Sequence, residues 1–549
     1  MNPLKRFKKL IEIDKRDITQ LFIYSILGGI ISLSLPLGIQ SIINFIQAAQ
    51  ISTSWIVLVV IVVIGIAFVG ILKIMQYRIS ENIQQKIFVR SAFDFAYRFP
   101  KMKFEQLYNK YPPELANRFF DTITVQKGVS KLLLDVSTSL LQIIFGILLL
   151  SFYHTFFIVF GVLLLALLYF IFKFNFKHGL STSLKESKYK YKVAHWLQEI
   201  ARNHLSFKNK STFDFSLQKN DNLVHGYLKE REGHFRVLRR QFIQLVGFKV
   251  IITAGLLIIG GLLVINQQMN IGQFVAAEIV ILTISAAVEK LFAGLELFYD
   301  VLTSLEKLGS VADLEIENKQ DKPHYNIGEN GVLFELENTT FKFPDADEPI
   351  LNNINLTIRP KEHVLIQGEN GSGKTTLLRL LARLIEPSSG TIYINNTNYN
   401  KYCIDEYRSK TGIITIQDTL FEGTLVENLT CNDPHISITK VLELIKIVNL
   451  TEQIKHLPLG LETLITSEGK QINSSMAQKI LLIRTLLKEP ELLFLEEPLD
   501  KIDENCAKNI IDYIIKPEHN WTLVVISKNS YWNQKIKNCV ILENGQIKK

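Results

Sequence analysis

Eight consecutive residues, Gly368-Glu369-Asn370-Gly371-Ser372-Gly373-Lys374-Thr375, have the G-x-x-x-x-G-K-[ST] spacing of a loop that wraps phosphates. Such a loop works because glycines let main-chain N–H groups close around phosphate oxygens. The Lys374 ammonium would neutralise charge on the β and γ groups, and the Thr375 hydroxyl would ligate Mg²⁺. The flanks agree. Glu362 to Gln367 reads as a short apolar strand, and Thr376 to Ile385 as an amphipathic helix whose positive N-terminus faces the phosphates. The pattern predicts a site for ATP or GTP.

The rest of the chain must hold that loop, and its composition is uneven. Of 549 residues 47% are hydrophobic, and the excess is concentrated between 21 and 300 in long uncharged runs. From 310 onward charged and apolar segments alternate as in an ordinary α/β domain. A bilayer core needs about 20 apolar residues per crossing. Six runs meet that need: 21–46, 55–75, 132–151, 156–172, 246–265 and 274–297. The short connections 47–54, 152–155 and 266–273 contain no Lys or Arg, whereas the N-terminus and the long segments 76–131 and 173–245 are rich in both. The positive-inside rule therefore puts the N-terminus, both long segments and the C-terminal half in the cytoplasm of a multi-pass cytoplasmic-membrane protein. The first run is too long for the core of a cleaved leader, and Pro36 interrupts it, so it reads as a span. Leu4, Phe7, Leu10 and Ile11, at helical spacing among lysines, predict an interfacial helix on the bilayer surface.

The net charge of +8 is explained by this topology, and no nucleic-acid partner is expected. Cys403, Cys431, Cys506 and Cys539 lack C-x-x-C spacing and read as reduced packing residues. Glu278 and Glu289 lie within the last apolar run, where a carboxylate marks either a pathway or a pairing, with Lys290 the neighbouring partner for Glu289. The long cytoplasmic segments have helical periodicity and few breakers apart from Pro112-Pro113, so they read as helical extensions of the spans.

The order of these features resembles an ABC half-transporter of the exporter type. Further segments carry the likeness. Pro113-Glu114-Leu115-Ala116-Asn117-Arg118 is similar to the exporters' G-E-L-x-x-R, with Pro113 for glycine, and Glu422-Gly423-Thr424-Leu425-Val426-Glu427-Asn428 resembles their G-T-I-x-x-N. The resemblance implies roles for single residues. Phe343 would stack on adenine, Gln417 would reach Mg²⁺ and relay occupancy, Glu496 would sit on the Mg²⁺ side of Walker B, and Glu497 would polarise the attacking water. Asp503 matches the D-loop aspartate.

Three positions depart from the family pattern. Glu496 stands where the family has Asp. The L-S-G-G-Q signature aligns with Ile472-Asn473-Ser474-Ser475-Met476, so Asn473, Ser474 and Ser475 would clasp the γ-phosphate on a second subunit without either glycine. Lys528 replaces the switch histidine and can donate to phosphate only as a point charge.

The expected architecture is a membrane α-helical bundle of six transmembrane helices followed by an α/β P-loop domain with a helical subdomain. Its parts are an interfacial segment 1–20, a membrane domain 21–308, a polar linker 309–330 and a cassette 331–549 with helical residues 425–488. The resemblance implies a dimer of halves using ATP and Mg²⁺ to export an unidentified substrate, peptide or protein by the closest likeness. The altered signature favours a heterodimer, and no peptidase-like domain is expected before the first span. The alternative is a membrane regulator or scaffold that binds ATP and hardly hydrolyses it.

Overall fold

The computed structural model describes residues 2–47, 53–317, 331–344 and 346–548, with backbone alone at 175. Most of the 309–330 linker and of the 47–54 connection lies outside the described residues. The chain forms two compact units: Met1–Lys101 with Asn109–Leu314, and Met102–Tyr108 with Glu315–Lys549.

The first unit is helical, and among the described residues six helical stretches are long and apolar enough to cross a membrane. Helix α1 (Pro3–Ile13) is the amphipathic N-terminal segment. The first apolar run folds as α2 (Lys15–Ser32) and α3 (Ser34–Gln47). The break falls before Pro36, which has no N–H to return to the preceding turn. Next comes α4 (Thr53–Arg98), and after the short α5 (Phe104–Leu107) and α6 (Pro112–Asn117) come α7 (Asp121–Tyr153), α8 (Phe156–Arg202) and α9 (Lys210–Gly255). A π-turn, Leu256–Gly260, leads to α10 (Gly261–Ile265) and then α11 (Ile271–Ala312). Helices α4, α8 and α9 have 46, 47 and 46 residues. At 1.5 Å per residue each is about 70 Å long, twice what a bilayer core of about 30 Å accommodates. Each therefore continues its span well beyond the apolar layer, as the periodicity predicts. Along α4, Ile56, Val57, Val60, Ile61, Val63 and Ile64 are all exposed, a belt suited to lipid.

Small residues let these helices close. A Cβ on Gly128 of α7 would meet Val301 of α11 at 2.3 Å. Arg118 bonds the Ser310 hydroxyl and, at 3.5 Å, Glu114, so both charged members of the E-L-x-x-R stretch are used structurally. Glu289 pairs with Lys249 of α9 at 2.5 Å, in place of its sequence neighbour Lys290. Helical spacing turns residue 290 away, while α9 brings Lys249 across.

The second unit is α/β. Strands β1 (Phe334–Phe341), β2 (Leu351–Ile358), β4 (Ser389–Ile394) and β5 (Thr397–Asn398) form an antiparallel sheet of order β2-β1-β4-β5. Strands β3 (His363–Gln367), β6 (Thr411–Ile414), β9 (Leu492–Glu496), β10 (Thr522–Ile526), β11 (Asn538–Glu543) and β12 (Gln546–Ile547) form the central sheet, of order β12-β11-β3-β10-β9-β6. It is parallel except for the β11–β12 edge. A small ladder pairs β7 (Gly423–Thr424) with β8 (Leu464–Ile465).

Period-two alternation splits the central strands between two cores. Val364, Ile366, Phe494 and Val524 face one core, which includes α12 (Lys374–Leu381). Leu365, Leu493, Leu495 and Val525 face the other, with α17 (Ser474–Leu486) and α18 (Glu504–Ile514). Both faces are covered, so β9 and β10 are buried throughout. The remaining helices are α13 (Ile404–Ser409), α14 (Leu425–Thr430), α15 (Ile438–Ile447), α16 (Thr451–Lys455) and α19 (Ser530–Lys535). The stretch expected to be helical, 425–488, contains α14 to α17 and is interrupted by β8. All four cysteines are free.

Candidate functional site

Three neighbouring parallel strands end at one place, the carboxyl edge of the sheet, where α/β folds bind ligands. The glycine loop follows β3, Glu497 follows β9 and Ser527-Lys528 follow β10. The loop needs its glycines. Gly368, Gly371 and Gly373 have φ of 149°, 85° and 100°, and a Cβ on Gly368 would strike the Leu542 carbonyl oxygen at 2.1 Å. Lys374 begins α12, earlier than the expected start at Thr376, and its Nζ donates to the Gly368 and Glu369 carbonyls at 2.7 Å each. Ser372 is buried, and its Oγ has no hydrogen-bond partner among the described residues.

The Thr375 hydroxyl donates to Glu496 Oε1, and the Ile416 N–H approaches Oε2 at 3.4 Å. Glu496 is buried, and the pair offers the hard oxygens that a hard cation selects. No cluster of three or more His, Cys, Asp or Glu suited to a metal occurs among the described residues, so phosphate oxygens would have to complete such a site.

Glu497 stands in left-handed backbone, φ 43°, with its N–H on the Ile526 carbonyl at 2.8 Å. Its carboxylate accepts from the Ser527 hydroxyl at 3.3 Å and the Lys528 N–H at 3.1 Å. Gln478, given no role in the sequence reading, donates to the Glu497 carbonyl at 2.8 Å and to Asp500 at 2.5 Å. Left-handed backbone held at both its N–H and its carbonyl, and two contacts to the carboxylate itself, keep this side chain in one direction.

A cleft of about 970 Å³ is lined by Phe343, Asn370, Gly371, Gly373, Lys374, Thr375 and Thr376, together with Glu496, Glu497 and Lys528. Gln417 does not line it. Its Oε1 accepts from Arg379, which does, at 3.3 Å. Asn473 caps α17, its Oδ1 accepting the Met476 N–H at 2.7 Å. Ser474 lines a second cleft of about 270 Å³ with Glu496, Glu497, Asp500 and Lys501, and Ser475 lines neither. Asp503 likewise caps a helix, accepting from Cys506 N–H at 2.9 Å. Among the lining residues that went unanticipated are Tyr108 and Arg379. Sequence spacing carries no signal for Tyr108, which comes from the segment 76–131.

Residues 351–500 match the ABC transporter family. The chain thus carries an ABC transporter ATP-binding domain behind an N-terminal region of transmembrane helices. Among curated proteins it is similar to the alpha-hemolysin translocation ATP-binding protein HlyB of Escherichia coli O157:H7, 26% identical over 56% of this chain and 43% of that one. It is also similar to the colicin V secretion/processing ATP-binding protein CvaB of Escherichia coli, 28% identical over 49% of this chain and 38% of that one. A third, the uncharacterized ABC transporter ATP-binding protein YfiB of Bacillus subtilis, is 25% identical over 46% of this chain and 43% of that one. The matches thus span about two fifths of these relatives. A solved bacterial Atm1-family ABC exporter with ATP bound has the same fold, with TM-score 0.86 and 16% identity over 98% of this chain and 96% of that one.

Proposed function

We propose that this chain is one half of an ATP-driven exporter in the cytoplasmic membrane, with both termini in the cytoplasm. The observation that carries the reading is the Thr375–Glu496 hydrogen bond beside Lys374 and the positive-φ glycines, since it joins P-loop hydroxyl and strand-end carboxylate in one cleft. Gly368 to Thr376 would cradle the triphosphate. Thr375 and Glu496 would hold Mg²⁺, which when bound neutralises phosphate charge. The Lys374 ammonium would exchange its two loop carbonyls for phosphate oxygens. Glu497, fixed by Ser527 and the Lys528 N–H, would orient the attacking water and accept its proton. Gln417 would act through Arg379, and the Lys528 side chain, exposed in the cleft, would add a point charge.

A second half-transporter would complete the site with its signature. Here Asn473 already satisfies the α17 amide it faces, which supports a partner with an unmodified signature and hence a heterodimer. The printed names of the relatives, alpha-hemolysin translocation and colicin V secretion, support a peptide or protein as cargo. The test is ATP binding and hydrolysis by the complex purified in nanodiscs, with partner identification in the same preparation. Lys374→Ala should abolish both activities. A wild-type complex that binds no nucleotide refutes the reading.

A further inference from the structure

An aromatic that stacks on a purine needs an open face, and Phe343 has none. It is only 5% exposed. Phe341 meets it at 87° with centroids 4.9 Å apart, and Tyr108 lies parallel to it, 18° between planes and 4.0 Å between centroids. That is the place a base would take over the same ring, since stacked rings cannot share one face.

Tyr108 belongs to the same compact unit as Phe343, brought there by the segment Met102–Tyr108. The start of that segment is fastened firmly. The Lys103 N–H bonds the Glu315 carbonyl at 3.1 Å, Arg379 lies 4.8 Å over the Phe104 ring, and Glu105 accepts the Glu386 N–H at 3.2 Å. Its end is not. Tyr108 is half-exposed, and its hydroxyl has no hydrogen bond among the described residues, so ring stacking is the contact that holds it in the cleft.

We infer that Tyr108 is a built-in stand-in for the nucleotide base. It occupies the Phe343 face and must swing away for a base to stack. The inference rests on the reading of this cleft as the ATP site. It adds that nucleotide entry moves the end of a segment whose next residue, Asn109, already belongs to the other unit. The ring that covers the base seat is therefore carried by a residue one peptide bond away from the membrane half. A sandwich, with the base between both rings, predicts the opposite effect of removing Tyr108.

The test is equilibrium binding to the full chain in nanodiscs, with chelator present to prevent turnover, using ATP and inorganic tripolyphosphate as separate probes. If Tyr108 competes with the base, a stacked ring worth one aromatic pair lowers apparent ATP affinity by about two- to tenfold. Tyr108→Ala should tighten ATP by that factor and leave tripolyphosphate unchanged. Tyr108→Phe should match wild type for both, and Tyr108→Trp, with a larger face, should weaken ATP alone. Weaker or unchanged ATP binding in Tyr108→Ala overturns the inference, as does an equal shift for tripolyphosphate. If wild type binds tripolyphosphate but not ATP, the base seat itself is misassigned. If it binds neither, the nucleotide reading beneath it fails.

Discussion

Glu496 and Glu497 are adjacent, yet the proposed mechanism gives them different work, and one pair of isosteric substitutions separates the two. In Glu497→Gln both contacts can survive, because the amide oxygen can still accept from Ser527 and the Lys528 N–H. The cost in stability should stay below about 1 kcal/mol, the worth of an ordinary hydrogen bond. What disappears is the proposed proton acceptor, so hydrolysis should fall by about 10²–10⁴, a barrier increase of about 3–5 kcal/mol, with nucleotide affinity within about threefold of wild type. In Glu496→Gln the oxygen facing Thr375 survives but its charge does not. Losing one charge-assisted contact of about 1.5–3 kcal/mol should cut the gain in ATP affinity on adding Mg²⁺ by about 10- to 150-fold and leave Mg²⁺-free binding unchanged. The assay is ATP titration with and without Mg²⁺, alongside phosphate release, on the purified complex. Retention of the wild-type rate by Glu497→Gln, or a Mg²⁺-dependent gain in ATP affinity that is lost in Glu497→Gln and kept in Glu496→Gln, refutes the assignment.

Helix capping gives a second expectation: Asn473→Ala should cost about 1 kcal/mol and lower Tm by about 2–4 °C in thermal unfolding, while Asn473→Ser, which keeps an acceptor, should be near neutral. In the membrane unit, Gly128→Ala drives a Cβ to 2.3 Å from Val301 and should cost about 1–3 kcal/mol in denaturant unfolding, whereas Gly70→Ala, with nothing within 4 Å, should be neutral or slightly stabilising. Burial lowers the pKa of His519, which stacks on Trp521 at 4.0 Å, and burial and then His519 lower that of His363. Their folded values lie below the unfolded value of about 6.5, so the unfolded chain binds more protons; stability is full above about pH 6.5 and is lost as pH falls through that value. Tm followed by tryptophan emission should therefore drop between pH 7.5 and 5.5, and His519→Phe should flatten the slope; an unchanged slope removes this explanation.

Much of this molecule was legible because its signals are local. The glycine loop, the buried strand ending in Glu496-Glu497 and the apolar runs are each fixed by a few neighbours in sequence, and they fold as β3 with α12, β9, and the long helices. Where sequence reading missed, partners came from afar. Glu289 was weighed against Lys290, but helical geometry presents Lys249 from another helix. Phe343 was given an adenine to stack on, with no sign that Tyr108 would occupy that face. Asn473, read by alignment to a signature, also caps α17, a local role that an Asn three residues before Met476 announces. Segment 102–108 was grouped with the membrane half because order along the chain does not reveal that Met102 bridges to Ile316.

The grip on Glu497 by residue 528 has a consequence for how this cleft could change over time. The atom that holds the carboxylate is a peptide nitrogen, which every amino acid but proline supplies. Drift at that codon therefore alters what projects into the cleft while leaving the acid's orientation intact. A lysine can stand at 528 as well as any other side chain, and the hold on the acid need not be rebuilt.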